Sequence, residues 1–147
     1  MRKTRVLLAF VFIFISIFIP SQVQAAGTCS SQPNIFKGMD TRCTDGTTLS
    51  TRPNIFDGFD TYTKGRRTSS TRPNIFGGYD TYSSAGQKIG SSRPNIFKGL
   101  DLFNGSGRKV GFTRPNIFNG YDVYGASGQK VTSCSSNIFA GMDCRTS

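Results

Sequence analysis

The chain has 147 residues, with 18 Lys and Arg against 8 acidic residues, all of them Asp, and a formal net charge of +10. It contains no His, Glu or Trp. Without His or Glu the usual general acid–base and nucleophile-activating groups are missing, which argues against an enzyme. The basic balance either favours polyanionic partners or serves ordinary solubility.

In chain order, Arg2, Lys3 and Arg5 form a basic head, Val6 to Ile19 an almost wholly apolar run, and Ser21 to Ala25 a polar segment ending in Val-x-Ala. This is the pattern of a secretory signal over residues 1–25, with cleavage expected after Ala25. The apolar run is shorter than the roughly 20 residues a spanning helix needs, so a retained anchor is disfavoured. Removing the three head cations leaves 15 Lys and Arg against 8 Asp, a net charge of +7 on a single repeat domain over residues 26–147. The expected location is therefore exported: secreted, periplasmic or at the cell surface.

Next come Cys29 and Cys43, flanking the first repeat, with Cys134 and Cys144 flanking the last. Four cysteines in an exported chain imply two disulfides. The local pairing, Cys29–Cys43 with Cys134–Cys144, staples the two terminal units. Pairing the first unit with the last is the alternative. The spacing and the lack of His give no zinc or redox motif, and no cofactor or metal is called for.

Between the cysteines runs a six-fold repeat of Asn-Ile-Phe-x-Gly-x-Asp, with Asn at 34, 54, 74, 95, 116 and 137. Units fall near 29–49, 50–69, 70–90, 91–111, 112–132 and 133–147. In each internal unit aromatic and β-branched residues alternate with polar ones around a Gly-bearing turn. That predicts two short strands per unit and about a dozen in all. A lone hairpin is unstable, so the copies must stack. The Ile-Phe pairs, Ile35/Phe36 through Ile138/Phe139, are expected to form a continuous apolar core ladder.

The fold class is thus all-β: a tandem array of six ~20-residue hairpin repeats. The terminal units depart alike from the consensus. They carry Gln32 and Ser135 where internal units have Arg, Arg42 and Arg145 where internal units have an aromatic, and Met39 and Met142 before the Asp. Polar caps at both ends favour an open, solenoid-like or single-layer array over a closed propeller-like ring. In unit length and Gly-plus-aromatic content the repeat is similar to choline-binding-type wall repeats and MORN repeats. It lacks the Trp of a choline cage and the Tyr-x-Gly pattern, and no functional residue is carried over from either.

Two sets of side chains recur. Asp40, Asp60, Asp80, Asp101, Asp122 and Asp143 are expected to fix the repeat, by accepting backbone amides of their own turn or pairing with the Arg before Pro. A calcium ladder is disfavoured, since each unit offers one regular carboxylate. Arg52, Arg72, Arg93 and Arg114, interleaved with Tyr62, Tyr82, Phe103 and Tyr124, make a candidate binding face suited to sugar stacking or anionic groups. The alternative is that these aromatics pack within the sheet and the cations solvate its edge. The functional expectation is an exported structural or binding module for an anionic polysaccharide, lipopolysaccharide or envelope protein. A secreted effector or toxin-like factor is the alternative, and nucleic acid is disfavoured for an exported chain.

Overall fold

The computed structural model describes residues 27–147; the signal expected over residues 1–25 lies outside them. Twelve antiparallel strands follow one another in chain order: β1 Thr28–Pro33, β2 Met39–Cys43, β3 Thr48–Pro53, β4 Phe59–Thr63, β5 Arg66–Pro73, β6 Tyr79–Ser83, β7 Lys88–Pro94, β8 Leu100–Asn104, β9 Lys109–Pro115, β10 Tyr121–Gly125, β11 Lys130–Ser136 and β12 Met142–Thr146. Each pairs with its sequence neighbours, and β12 pairs back onto β1 through Thr28↔Arg145, Cys29↔Cys144 and Ser30↔Asp143. The result is a closed barrel of six hairpin pairs. The open array is therefore incorrect, and closure leaves no sheet edge.

The similarity of the two terminal units has a different cause from capping: they are neighbours in space. Cys43, Cys29, Cys144 and Cys134 stand in one row across β2, β1, β12 and β11. Two disulfides, Cys29–Cys43 and Cys134–Cys144, flank the seam where the chain ends meet. Their sulfurs supply much of the apolar filling there, packed with Leu102, Tyr121, Val123 and Met142.

The alternation along each even strand builds the interior. Met39, Phe59, Tyr79 and Tyr121, each directly before its Asp, are buried, and so is Met142 at the seam. Two residues further on, Thr41, Thr61, Thr81, Leu102, Val123 and Cys144 point the same way, as period two requires. They face Ser31, Thr51, Thr71, Ser92, Thr113 and Cys134 on the paired odd strands. Most of the barrel is thus lined by small hydroxyl residues, and these do more than fill space. Thr51 Oγ1 accepts from Met39 N at 2.9 Å, and Thr71 Oγ1 accepts from Phe59 N at 2.8 Å. Ser92 and Thr113 repeat the contact with Tyr79 and Leu100, and Ser31 closes the ring on Met142 at 2.9 Å. Each of these five hydroxyls continues the inter-strand ladder where neighbouring units diverge, which offsets the cost of its burial. The lining hydroxyls of Thr41, Thr81 and Thr132 have no hydrogen-bond partner among the described residues.

The Ile-Phe ladder expected to form the core does not form one. Every motif Ile lies between 90 and 94% exposed and every motif Phe is at least 46% exposed. The pair falls in the loop that joins the two strands of a unit, not in a strand, so it has no sheet face on which to be buried.

Candidate binding rim

In an antiparallel barrel all odd-to-even connections emerge at one end. Here those six connections are the Asn-Ile-Phe-x-Gly loops, which therefore form one rim. The opposite end carries the variable turns, such as Thr44-Asp45-Gly46-Thr47 and Ser84-Ala85-Gly86-Gln87, which hold no large apolar side chain.

Each loop is organised by its Asn. Asn34 Oδ1 accepts from Phe36 N at 3.0 Å and from Gly38 N at 2.9 Å, while Nδ2 donates to Thr51 O and Asp40 Oδ1, both at 3.0 Å. All four hydrogen-bonding sites of the amide are used. The same set recurs to Asn137, whose Nδ2 donates to Ser31 O at 2.8 Å across the seam. The amide thus shapes its own loop and latches it to the next unit. The left-handed backbone falls on the variable residue: Lys37, Asp57, Gly77, Lys98, Asn119 and Ala140 all have φ between 55 and 82°. The motif Gly answers a different need. A methyl added at Gly38 or Gly99 would overlap the backbone carbonyl of Thr51 or Thr113 in the next unit.

The structure places the six Asp outside the barrel wall, just below the loops. Each accepts from its motif Asn, as in Asn54 Nδ2 to Asp60 Oδ1 at 3.1 Å. Asp40, Asp122 and Asp143 also accept from Ser50, Ser133 and Ser30. Their ion-pair partners are not the Arg before Pro. Among the described residues they are cations of the following strand: Arg67–Asp60, Lys88–Asp80, Lys109–Asp101 and Lys130–Asp122. Burial raises the Asp122 carboxyl, but hydrogen bonds from Lys130, Ser133 and Asn116 outweigh it and hold the group below its usual range. The same carboxylate raises Lys130.

The Arg before Pro are used otherwise. Arg52 Cζ lies 3.9 Å from the ring centre of Phe36 in the preceding loop and 4.8 Å from that of Tyr62 in its own unit. Arg72 sits likewise between Phe56 and Tyr82, and Arg93 between Phe76 and Phe103. Arg114 stacks on Phe97 and also approaches Phe112 and Tyr124. The eight residues of the candidate face are therefore brought together on the outer wall as four cation–π stacks. Each stack shares a Phe with the rim. Where the next unit offers Ser135 or Gln32 in place of Arg, Phe118 and Phe139 are 62% exposed, against 46–52% for the stacked four.

Clefts open between adjacent units under the loops. One is lined by Pro73, Asn74, Ile75 and Phe76 with Asp80, Lys88 and Arg93; its volume is about 540 Å³. A second, about 750 Å³, repeats this lining one unit earlier with Asp60, Arg67 and Arg72.

Sequence reasoning missed the rim Ile, although a turn at Arg-Pro-Asn in which Asn bonds nearby backbone is readable from the residues and is present. Asn-x-x-x-Gly with Pro in front is a loop signature, since Asn caps the amides two and four residues on. Read so, it places Ile at a loop tip. No protein family, curated protein or solved structure matches the chain.

Proposed function

We propose that the protein is an exported binding module whose rim engages an anionic envelope polymer or glycan. The observation that carries this reading is the state of four guanidiniums. Arg52, Arg72, Arg93 and Arg114 are held between aromatic rings and have no carboxylate partner among the described residues, while the cations beside them do. Stacking fixes each guanidinium plane. The Nε of Arg52 and Arg114 is buried without a partner among the described residues, so the terminal Nη pair is the edge offered to a ligand, and Arg binds carboxylate, sulfate or phosphate with two parallel bonds. Four such groups recur at one step of the repeat. That suits a polymer with regularly spaced charges, because weak contacts add when linked.

The test is retention of the purified protein on dextran sulfate and on immobilised lipopolysaccharide, with salt elution. Replacing all four Arg by Gln should abolish retention. Replacing them by Lys should weaken it while keeping the charge, because Lys cannot reproduce the stacked fork. Equal retention of wild type and the Gln variant would refute the reading.

A further inference from the structure

The repeat retains one residue that the fold does not use. Asn is fully hydrogen-bonded, Gly admits the neighbouring carbonyl, Asp accepts from Asn, and Phe stacks on Arg in four of six units. The motif Ile makes none of these contacts, yet all six copies keep it at 90% exposure or more. Two positions on, the chain has drifted through Lys37, Asp57, Gly77, Lys98, Asn119 and Ala140. Among the six copies this position varies freely and the Ile does not.

Closure of the barrel sets the six Ile on a single rim, backed by six half-exposed Phe, while among the described residues the far end exposes one large apolar side chain, Ile89 at 42%. The molecule is therefore amphipathic from end to end. An apolar rim of this extent marks an interaction surface, and its electrostatics select the occupant. Four Arg without a carboxylate partner among the described residues lie against the rim Phe, and the loops themselves carry Lys37 and Lys98 against the single Asp57, so the rim is positive on balance. A second copy seated rim to rim would set these cations against their equals. An anionic lipid surface presents phosphates to them and acyl chains to Ile and Phe.

We infer that the rim is a lipid-docking face, seated on an anionic bilayer with its Ile tips in the acyl boundary and its Arg at the headgroup phosphates. The barrel rests on the membrane and does not cross it. Its strands of 5–8 residues are shorter than the roughly 9–11 a spanning strand needs, and its outer wall carries Asp–Lys pairs. This inference rests on the reading that the stacked Arg meet anionic groups, and goes beyond it by adding a lipid surface as a second anionic target of the same rim.

The experiment uses the full chain, expressed with its own leader and purified. It compares sedimentation with vesicles of phosphatidylcholine, with and without phosphatidylglycerol, against retention on dextran sulfate. Wild type should sediment with the phosphatidylglycerol vesicles. A variant with Ile75, Ile96 and Ile117 changed to Ser should lose about tenfold or more in vesicle affinity, with retention on dextran sulfate unchanged and the thermal midpoint within about 6 °C of wild type. Because the chain has no Trp, Ile96→Trp is a unique reporter whose emission should shift to the blue on those vesicles and be quenched by brominated acyl chains. Wild-type retention on dextran sulfate without vesicle binding would overturn the lipid inference and leave the anionic reading standing. Binding to neither would overturn both. Vesicle binding by the Ser variant equal to wild type, or a change only from dimer to monomer, would also overturn the inference.

Discussion

Three substitutions within the loop 95–99 separate scaffold from surface. Asn95 Oδ1 accepts from Phe97 N and Gly99 N, both at 3.0 Å, and Nδ2 donates to Thr113 O at 3.1 Å. At about 1 kcal/mol net for each of three bonds, and allowing water to reach the exposed amide of Phe97, Asn95→Ala should cost roughly 2–3 kcal/mol. Gly99→Ala forces backbone against backbone at Thr113, where no rotamer change gives relief. It should cost about 3 kcal/mol or more, the upper end for overpacking. Ile96, at 91% exposure, should tolerate Ser within about 0.5 kcal/mol, as surface positions do. For a domain of this size 1 kcal/mol moves the midpoint by roughly 4 °C. Asn95→Ala should therefore fall by about 10 °C, Gly99→Ala further, and Ile96→Ser by about 2 °C at most. The assay is thermal and guanidinium unfolding with both disulfides intact. If Ile96→Ser lost as much as Asn95→Ala, the Ile would be a packing residue, and the account of the rim would fail.

Tyr121 has a fully buried hydroxyl with no hydrogen-bond partner among the described residues, and burial alone drives its pKa upward. Tyr121→Phe should raise stability by about 1 kcal/mol, read as a higher midpoint; a loss would mean that the hydroxyl is satisfied. Asp122 has a lowered folded pKa, so its stabilisation is present above the unfolded value of about 3.9 and is lost as pH falls through the lower folded value. Lys130 has a raised one, so its share is present below about 10.4 and is lost as pH rises through the folded value. Lys130→Gln should therefore move acid unfolding to higher pH and alkaline unfolding to lower pH, with an unshifted acid limb counting against the pair. Reducing the disulfides, whose cysteines are 14 and 10 residues apart, should remove roughly 3 kcal/mol for each loop closed. Amide exchange should then appear first in β1 and β12, the only paired strands not joined through a turn of the chain. Uniform loss of protection around the ring would contradict the seam.

The repeat, the twelve strands and both disulfides were legible because each rests on local chemistry: fixed spacing, Gly-bearing turns, period-two alternation. Closure was not. Gln32, Ser135, Arg42 and Arg145 read as polar caps, but matched departures at two chain ends are also what adjacency produces, and one sequence does not separate the two. Core and surface were inverted for a physical reason. An Ile-Phe pair is the most apolar dipeptide of each unit, and burial was inferred from that alone, although exposed apolar residues are common. The strand-borne alternation of Met39 with Thr41, or Tyr79 with Thr81, was the better guide, since it carries the period of a half-buried strand. Thr read as polar there. In place, Thr41 and Thr81 are buried on the inner face, and the inter-strand hydrogen bonds come from the odd-strand hydroxyls such as Thr51 and Thr71.

On the proposed reading, this inversion is what would give the rim its capacity to bind. Asn, Gly and the next unit's Thr, Ser or Cys hold each loop from below, so the loop does not depend on its tip Ile, which can be apolar without strain. The tips are also fixed relative to one another, because each loop is latched to its neighbour around a closed ring. On the proposed docking, six weak contacts would engage together with little further loss of freedom, and preorganisation of this kind converts modest single contacts into useful affinity. An open array of the same units would present the same Ile on a surface free to bend, and would lose part of that gain in ordering it. The closure that the terminal units concealed is thus the feature that makes six exposed side chains act as one surface.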